Sequence, residues 1–338
     1  MVNKLVSASR RIIVLGTGGT IAGRAEARGD NIGYAAAQVS VGDLLGDIAL
    51  PPGTTVDAEQ IAQVDSKDMD MATWQRLVQR CVHWLAESDV TGIVITHGTD
   101  TLEETALFLQ LVLGPRKPVV MTCAMRPASA LSPDGPQNVR DAMAVASTPG
   151  AQGVVVTCAG VVHSALDVQK VHTYRLDAFS SGDSGPLGYV EEGVVRQLRQ
   201  WPVDGVSPSA LAAIAREPAD WPRVEILVSH AGASAGLVDA LIAERNNGRS
   251  DAARGLVLAA TGNGTLHHAL EDAAIRAQLA GMAVVRATRC TQGRILQKAG
   301  DALRNAGALT PAKARVALML ELMQEAAQEP EAVIAADD

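Results

Sequence analysis

Short apolar runs alternate along the chain with stretches whose apolar residues recur at helical spacing. Ile12-Ile13-Val14-Leu15 reads as a buried strand that runs into glycines. Met69 to Ala86 places Met71, Trp74, Leu77, Val78, Cys81, Val82 and Leu85 on one helical face. A second buried strand follows at Gly92 to Thr96, then a helix over Leu102–Leu113, with Thr101 and Glu104 in capping-box spacing. Val119-Val120-Met121 is a strand, Asn138 to Ala146 a helix and Val154-Val155-Val156 a strand. Gly188-Tyr189-Val190, followed by Glu191-Glu192-Gly193, reads as an antiparallel hairpin.

The alternation lapses over Arg196 to Pro222, where Pro, Gln and Trp collect and the pattern leaves room only for a short helix near Ala210. It resumes with strands at Ile226 to Val228, Leu256 to Leu258 and Ala283 to Val285. Helices lie between them at Leu237 to Arg245 and Leu266 to Leu279. A last helix, capped by Thr310 with Pro311 in its first turn, runs to about Gln328 before an acidic tail. Near-continuous apolar strands separated by helices call for a parallel sheet covered on both faces. The expected fold is therefore α/β: a larger N-terminal catalytic domain (1–195) with a mostly parallel sheet covered by helices, a linker (196–222), and a smaller C-terminal α/β domain (223–338).

Composition narrows the function. Hydrophobic residues make up 47% of the 338 positions and charged residues 20%, the balance of a globular chain. Aromatics are only 3%, which disfavours a base-stacking surface, and a formal net charge of −8 repels nucleic acid and anionic lipid. Neither nucleic acid nor membrane is an expected partner. None of the four cysteines lies in a CxxC spacing; Cys123 and Cys158, in apolar runs, read as small buried hydrophobes, and a reduced setting is the simplest. The first apolar run is too short for a signal-peptide core, so a cytoplasmic location is expected. The seven histidines show no HExxH pair and are expected to be structural; neither a metal nor a cofactor is expected.

In parallel α/β sheets, chemistry gathers beyond the carboxyl ends of the strands. The first strand ends in Gly16-Thr17-Gly18-Gly19-Thr20-Ile21-Ala22-Gly23, a glycine-rich turn with two hydroxyls that does not fit the dinucleotide fingerprint. The strand at Ile93 ends in Thr96-His97-Gly98-Thr99-Asp100-Thr101, where a hydroxyl stands beside a carboxylate. Either residue type is also an ordinary helix cap. Lys170, in Asp167-Val168-Gln169-Lys170, would serve as a base only if a desolvated or cationic setting lowered its pKa.

Together these segments resemble the bacterial-type L-asparaginase and glutaminase-asparaginase family. Thr17 to Gly23 is similar to its first motif and Thr96 to Glu104 to its second. The likeness continues through Ala124-Met125-Arg126-Pro127, Asp134-Gly135-Pro136, Asp167 to Lys170, Gly185 to Tyr189 and Gly262-Asn263-Gly264. The resemblance implies an amidohydrolase that converts L-asparagine to L-aspartate and ammonia without a cofactor, with weaker turnover of glutamine or D-asparagine. It implies Thr20 as nucleophile, Tyr34 on the following loop as its assistant, and Thr99, Asp100 and Lys170 as a triad. Ser66 and Asp100 would hold the substrate's α-carboxylate and α-ammonium, with Gly19 and Gly98 lining the same place. It also implies a homotetramer built from dimers. Lys67, beside Ser66, would have to point outward or pair with Asp65 or Asp68.

The chemistry stands apart from the name. A threonine hydroxyl attacks an amide only when a base takes its proton, and Tyr34 or the Thr99–Lys170 pair could do so. Backbone N–H groups near Gly98 and Thr99 would meet the oxyanion. Which threonine forms the ester is left open at this level. Two rivals are weaker. An amidase subunit of a tRNA-dependent amidotransferase calls for an added N-terminal domain and a basic surface. A non-catalytic amino-acid-binding or nucleotide-binding module would leave Thr20 dispensable.

Overall fold

The computed structural model describes residues 10–328 apart from 28, 47, 49, 51, 52 and 203–206. The acidic tail expected after Gln328 lies outside the described residues. The chain divides into two compact units, Met1–Val206 and Ser207–Asp338.

The first unit is built on an eight-stranded sheet. Its order is 194–197, 188–191, 161–164, 154–158, 119–122, 90–96, 10–18 and 54–64. The five strands from 154–158 to 54–64 pair in parallel, and the three at the other edge pair antiparallel. The reason is visible in the runs themselves. Ile12 to Leu15, Ile93 to Ile95, Val119 to Met121 and Val154 to Val156 are fully buried, as strands covered on both faces must be. Each such side chain contributes about 1.5–3 kcal/mol of transfer free energy. The helices Met71–Ala86, Leu102–Leu113 and Gly135–Ala146 supply the cover. With so few aromatics, aliphatic packing does most of this work, though Trp74 and Phe108 stack at 4.6 Å between ring centres.

The edge strand Thr54–Val64 is absent from the sequence-level expectation. Its residues alternate between part-buried and exposed, and only a few are apolar, so no continuous hydrophobic run marks it. It matters for the site, because it delivers Asp65 and Ser66 beside the end of its neighbour, strand 10–18. Asp70 caps the helix that follows, accepting from the Thr73 N–H at 2.7 Å.

The second unit carries a four-stranded parallel sheet ordered 224–228, 255–260, 283–288 and 304–305. Helices Gly236–Asn246, His268–Leu279 and Pro311–Gln328 accompany it. Thr310 caps the last helix as expected, accepting from the Lys313 N–H. The segment expected as a linker, 196–222, has structure of its own. Val194–Gln197 is the outer strand of the large sheet, and the helix Pro208–Ala213 packs on the terminal helix of the second unit. Among the described residues, no helix is long and apolar enough to cross a membrane.

Candidate active site

The site residues of the first unit sit where the central parallel strands end. Strand Arg10–Gly18 runs into a single turn of 3-10 helix, Thr20–Ala22, so Thr20 stands just beyond the end of this strand and is nearly buried. Its hydroxyl lies 2.7 Å from the Tyr34 hydroxyl. Tyr34 reaches it from a short antiparallel ladder, Arg24–Ala25 against Tyr34–Ala35. Gly23 makes room for the ring: a Cβ there would lie 2.7 Å from Tyr34 Cδ2.

The neighbouring strand Val90–Thr96 carries the second group. Lys170 donates through Nζ to Thr99 Oγ1 at 2.8 Å and to Asp100 Oδ1 at 2.7 Å. This lysine is largely buried while the Asp100 carboxylate is about half exposed. Lys170 thus belongs to the site and is not a solvated surface lysine. Its backbone is fixed as well, because its N–H donates to Glu103 Oε2 at 2.6 Å. Glu103 was not singled out as a functional residue from the sequence. It lies within the second motif, but nothing in a linear pattern tells that a carboxylate in a helix's first turn will receive a main-chain N–H 67 residues away.

The two groups meet through backbone. Gly19 has φ +80°, and a Cβ on it would sit 2.3 Å from Gly98 Cα. No side chain can be accommodated there, so the turn bearing Thr20 and the turn bearing Thr99 lie against each other. Ser66 locks the second turn from the far side. Its buried hydroxyl accepts from the Asp100 N–H at 3.1 Å, and its carbonyl accepts from the Thr101 hydroxyl at 2.7 Å. This corrects the capping-box expectation: Thr101 makes no side-chain cap, because its hydroxyl is spent on Ser66. Lys67 turns outward, its ammonium bound to Asp65 at 2.7 Å and Asp68 at 3.3 Å. Those two carboxylates raise its pKa, hydrogen bonding to Asp65 being the larger cause.

Behind the second turn lies a directed polar chain. The Trp74 indole N–H donates to Thr105 Oγ1 at 2.8 Å, and Thr105 Oγ1 lies 3.0 Å from His97 Nε2. His97 Nδ1 lies 2.7 Å from the Gly98 carbonyl oxygen. For a neutral ring one assignment satisfies all three contacts: Thr105 donates to Nε2, and Nδ1–H donates to the Gly98 carbonyl. Burial holds the His97 pKa down to about 4, against a smaller raising effect of the Gly98 contact. Burial thus disfavours the charged form of His97. Among the described residues, no cluster of three His, Cys, Asp or Glu side chains could hold a metal ion.

The Thr20–Tyr34 hydroxyl pair and the Thr99–Lys170–Asp100 cluster stand together at the carboxyl end of a mostly parallel sheet in an α/β protein. The chain belongs to the asparaginase family: residues 11–202 match the family's "Asparaginase, N-terminal" domain, and residues 223–333 match its "Glutaminase/Asparaginase C-terminal domain". It is 36% identical to L-asparaginase 2 of Bacillus subtilis (strain 168), over 92% of this chain and 82% of that protein. It is 33% identical to a glutaminase-asparaginase of Pseudomonas fluorescens biotype A, over 92% and 86% of the two chains. The crystal structure of a probable cytoplasmic L-asparaginase from Campylobacter jejuni superposes with a TM-score of 0.83 at 34% identity, covering 93% of this chain and 98% of that one.

Proposed function

We propose that this protein is an L-asparaginase that hydrolyses the side-chain amide of free L-asparagine through Thr20, with weaker turnover of glutamine or D-asparagine. The observation that carries the proposal is the pairing of Thr20 with Tyr34 at 2.7 Å, against a turn in which Lys170 touches both Thr99 and Asp100. Relatives named L-asparaginase and glutaminase-asparaginase support the substrate class.

In this reading the Thr20 oxygen attacks the amide carbon while Tyr34, in direct contact, accepts its proton and passes its own hydroxyl proton on to the amide nitrogen. Backbone N–H groups near Gly98 and Thr99 meet the oxyanion. Protonation of the amide nitrogen releases ammonia and leaves a β-aspartyl ester on Thr20. Water, oriented at the Thr99–Lys170 pair, then cleaves the ester and frees aspartate. Asp100 receives the substrate ammonium with the oxygen-rich edge it exposes, and Ser66 stands at the α-carboxylate end. Gly19 and Gly98, packed against each other, line the same place. No cofactor enters any step. Assembly as a homotetramer built from dimers and a cytoplasmic location complete the proposal.

The test is ammonia release from L-asparagine, L-glutamine and D-asparagine by wild type, Thr20→Ala and Lys170→Met. Losing either member of such a unit costs on the order of 10³–10⁴ in turnover. Equal release by all three proteins would overturn the assignment. Light scattering of the purified protein reads the assembly state directly.

A further inference from the structure

Two thiols that the proposed reaction does not use face each other at the carboxyl edge of the large sheet. Strands 119–122 and 154–158 run parallel with Thr122 opposite Thr157, so Cys123 and Cys158 are the next pair along. Their sulfurs approach to 2.8 Å, and both residues are buried as free thiols. Asn138 clamps the backbone on both sides of this contact. Its amide donates to the Cys123 carbonyl at 2.9 Å, and its carbonyl oxygen accepts from the Ala159 N–H at 3.0 Å. The strand ends are thus held together by a group other than the sulfurs.

We infer that Cys123 and Cys158 form a redox-active dithiol that closes to a disulfide under peroxide. Neighbouring strands place the two side chains on one face, and closure to the covalent S–S distance of about 2.05 Å needs less than an ångström of sulfur movement. Cys158, beside the turn Ala159–Gly160, is the less buried of the two and reacts first. Its sulfur attacks one peroxide oxygen. The O–O bond breaks, and the departing hydroxide takes the thiol's proton to become water. Cys158 is left as a sulfenic acid. The Cys123 sulfur then attacks the Cys158 sulfur, and the hydroxyl leaves with the Cys123 proton as a second water. Two thiols and one hydrogen peroxide thus give one disulfide and two waters, the sulfur pair losing two electrons to the peroxide oxygens. Burial pushes the Cys123 thiol well above its usual range, which keeps it from being the first of the two to react with peroxide. The closed bond joins positions 35 residues apart and restricts the unfolded chain accordingly.

The experiment treats the folded full-length protein with hydrogen peroxide, quenches, alkylates free thiols under denaturing conditions and maps the peptides without reductant. The expected result is a Cys123–Cys158 cross-linked peptide with the mass of two hydrogens lost. Dithiothreitol should reverse the cross-link, and the oxidised protein should unfold at a higher temperature than the reduced one. Cys290→Ser, which removes an exposed thiol, should leave the cross-link intact, and Cys158→Ser should abolish it. Recovery of both thiols fully alkylated, oxidation of each singly without a cross-link, or links to Cys81 or Cys290 instead would overturn the inference. Because the wild-type map decides the matter, a Cys158→Ser chain that fails to fold does not.

Discussion

The carboxylate of Glu103 accepts the backbone N–H of Lys170 at 2.6 Å, so the first turn of one helix fixes the position of a lysine that reaches back to Thr99 and Asp100. The lysine side chain and its main chain are thereby held by three residues within one short segment of the second motif. Cutting this anchor by Glu103→Ala should let Lys170 drift by a fraction of an ångström and lower kcat by roughly tenfold, since misplacements of this order carry such costs. Glu103→Gln keeps an accepting oxygen and should retain most of the activity. Steady-state ammonia release by the two variants, with circular dichroism to confirm folding, checks the expectation.

The Thr20–Tyr34 contact sets a second expectation. Tyr34→Phe removes the hydroxyl but keeps the ring against Gly23. Turnover should fall by about 10²–10⁴, the usual contribution of a positioned proton acceptor, while KM changes little. A variant with unaltered kcat would remove Tyr34 from the proposed chemistry.

Gly19 tests the meeting of the two turns. Alanine there places a methyl 2.3 Å from Gly98 Cα at a φ of +80°, and backbone rather than a flexible side chain must yield. Gly19→Ala should destabilise the fold by more than about 1 kcal/mol and abolish most activity. Urea denaturation and kinetics on the same preparation measure both effects. A stable, fully active Gly19→Ala protein would mean that the two turns need not touch.

His97 makes stability depend on pH in a definite direction. Burial lowers its folded pKa to about 4, whereas an unfolded histidine titrates near 6.5. Below about pH 6.5 the unfolded chain therefore gains a proton that the folded chain refuses. Its contribution is fully present above that value and is lost as pH falls toward 4. Between about pH 7.5 and about pH 5 it should cost about 2 kcal/mol, a value good only to order of magnitude. His97→Gln, which cannot titrate, should flatten this part of the profile in denaturant unfolding measured at the two pH values.

Lys67 offers a contrasting, nearly silent change. Its ammonium is exposed and engaged by Asp65 and Asp68. Lys67→Gln should shift KM for asparagine by less than about threefold, because exposed ion pairs carry little energy. A much larger change would place the lysine's charge inside the substrate's reach.

Much of this protein was legible from local pattern alone. The buried strands at Ile12, Ile93, Val119 and Val154 and the helix Leu102–Leu113 follow from runs and periods, because burial on both faces of a sheet leaves a continuous apolar signature. The two threonine-bearing turns could be located for the same reason, each standing where such a run stops. Tertiary structure decided the rest. Edge strand Thr54–Val64 is set by pairing with its neighbour and not by hydrophobicity, so its half-exposed residues carry no clear signal. Thr101 gives up its capping role to Ser66, Glu103 finds the Lys170 N–H, and Cys123 meets Cys158. In each case the partner is at least 35 residues away, and only the folded chain brings it within reach.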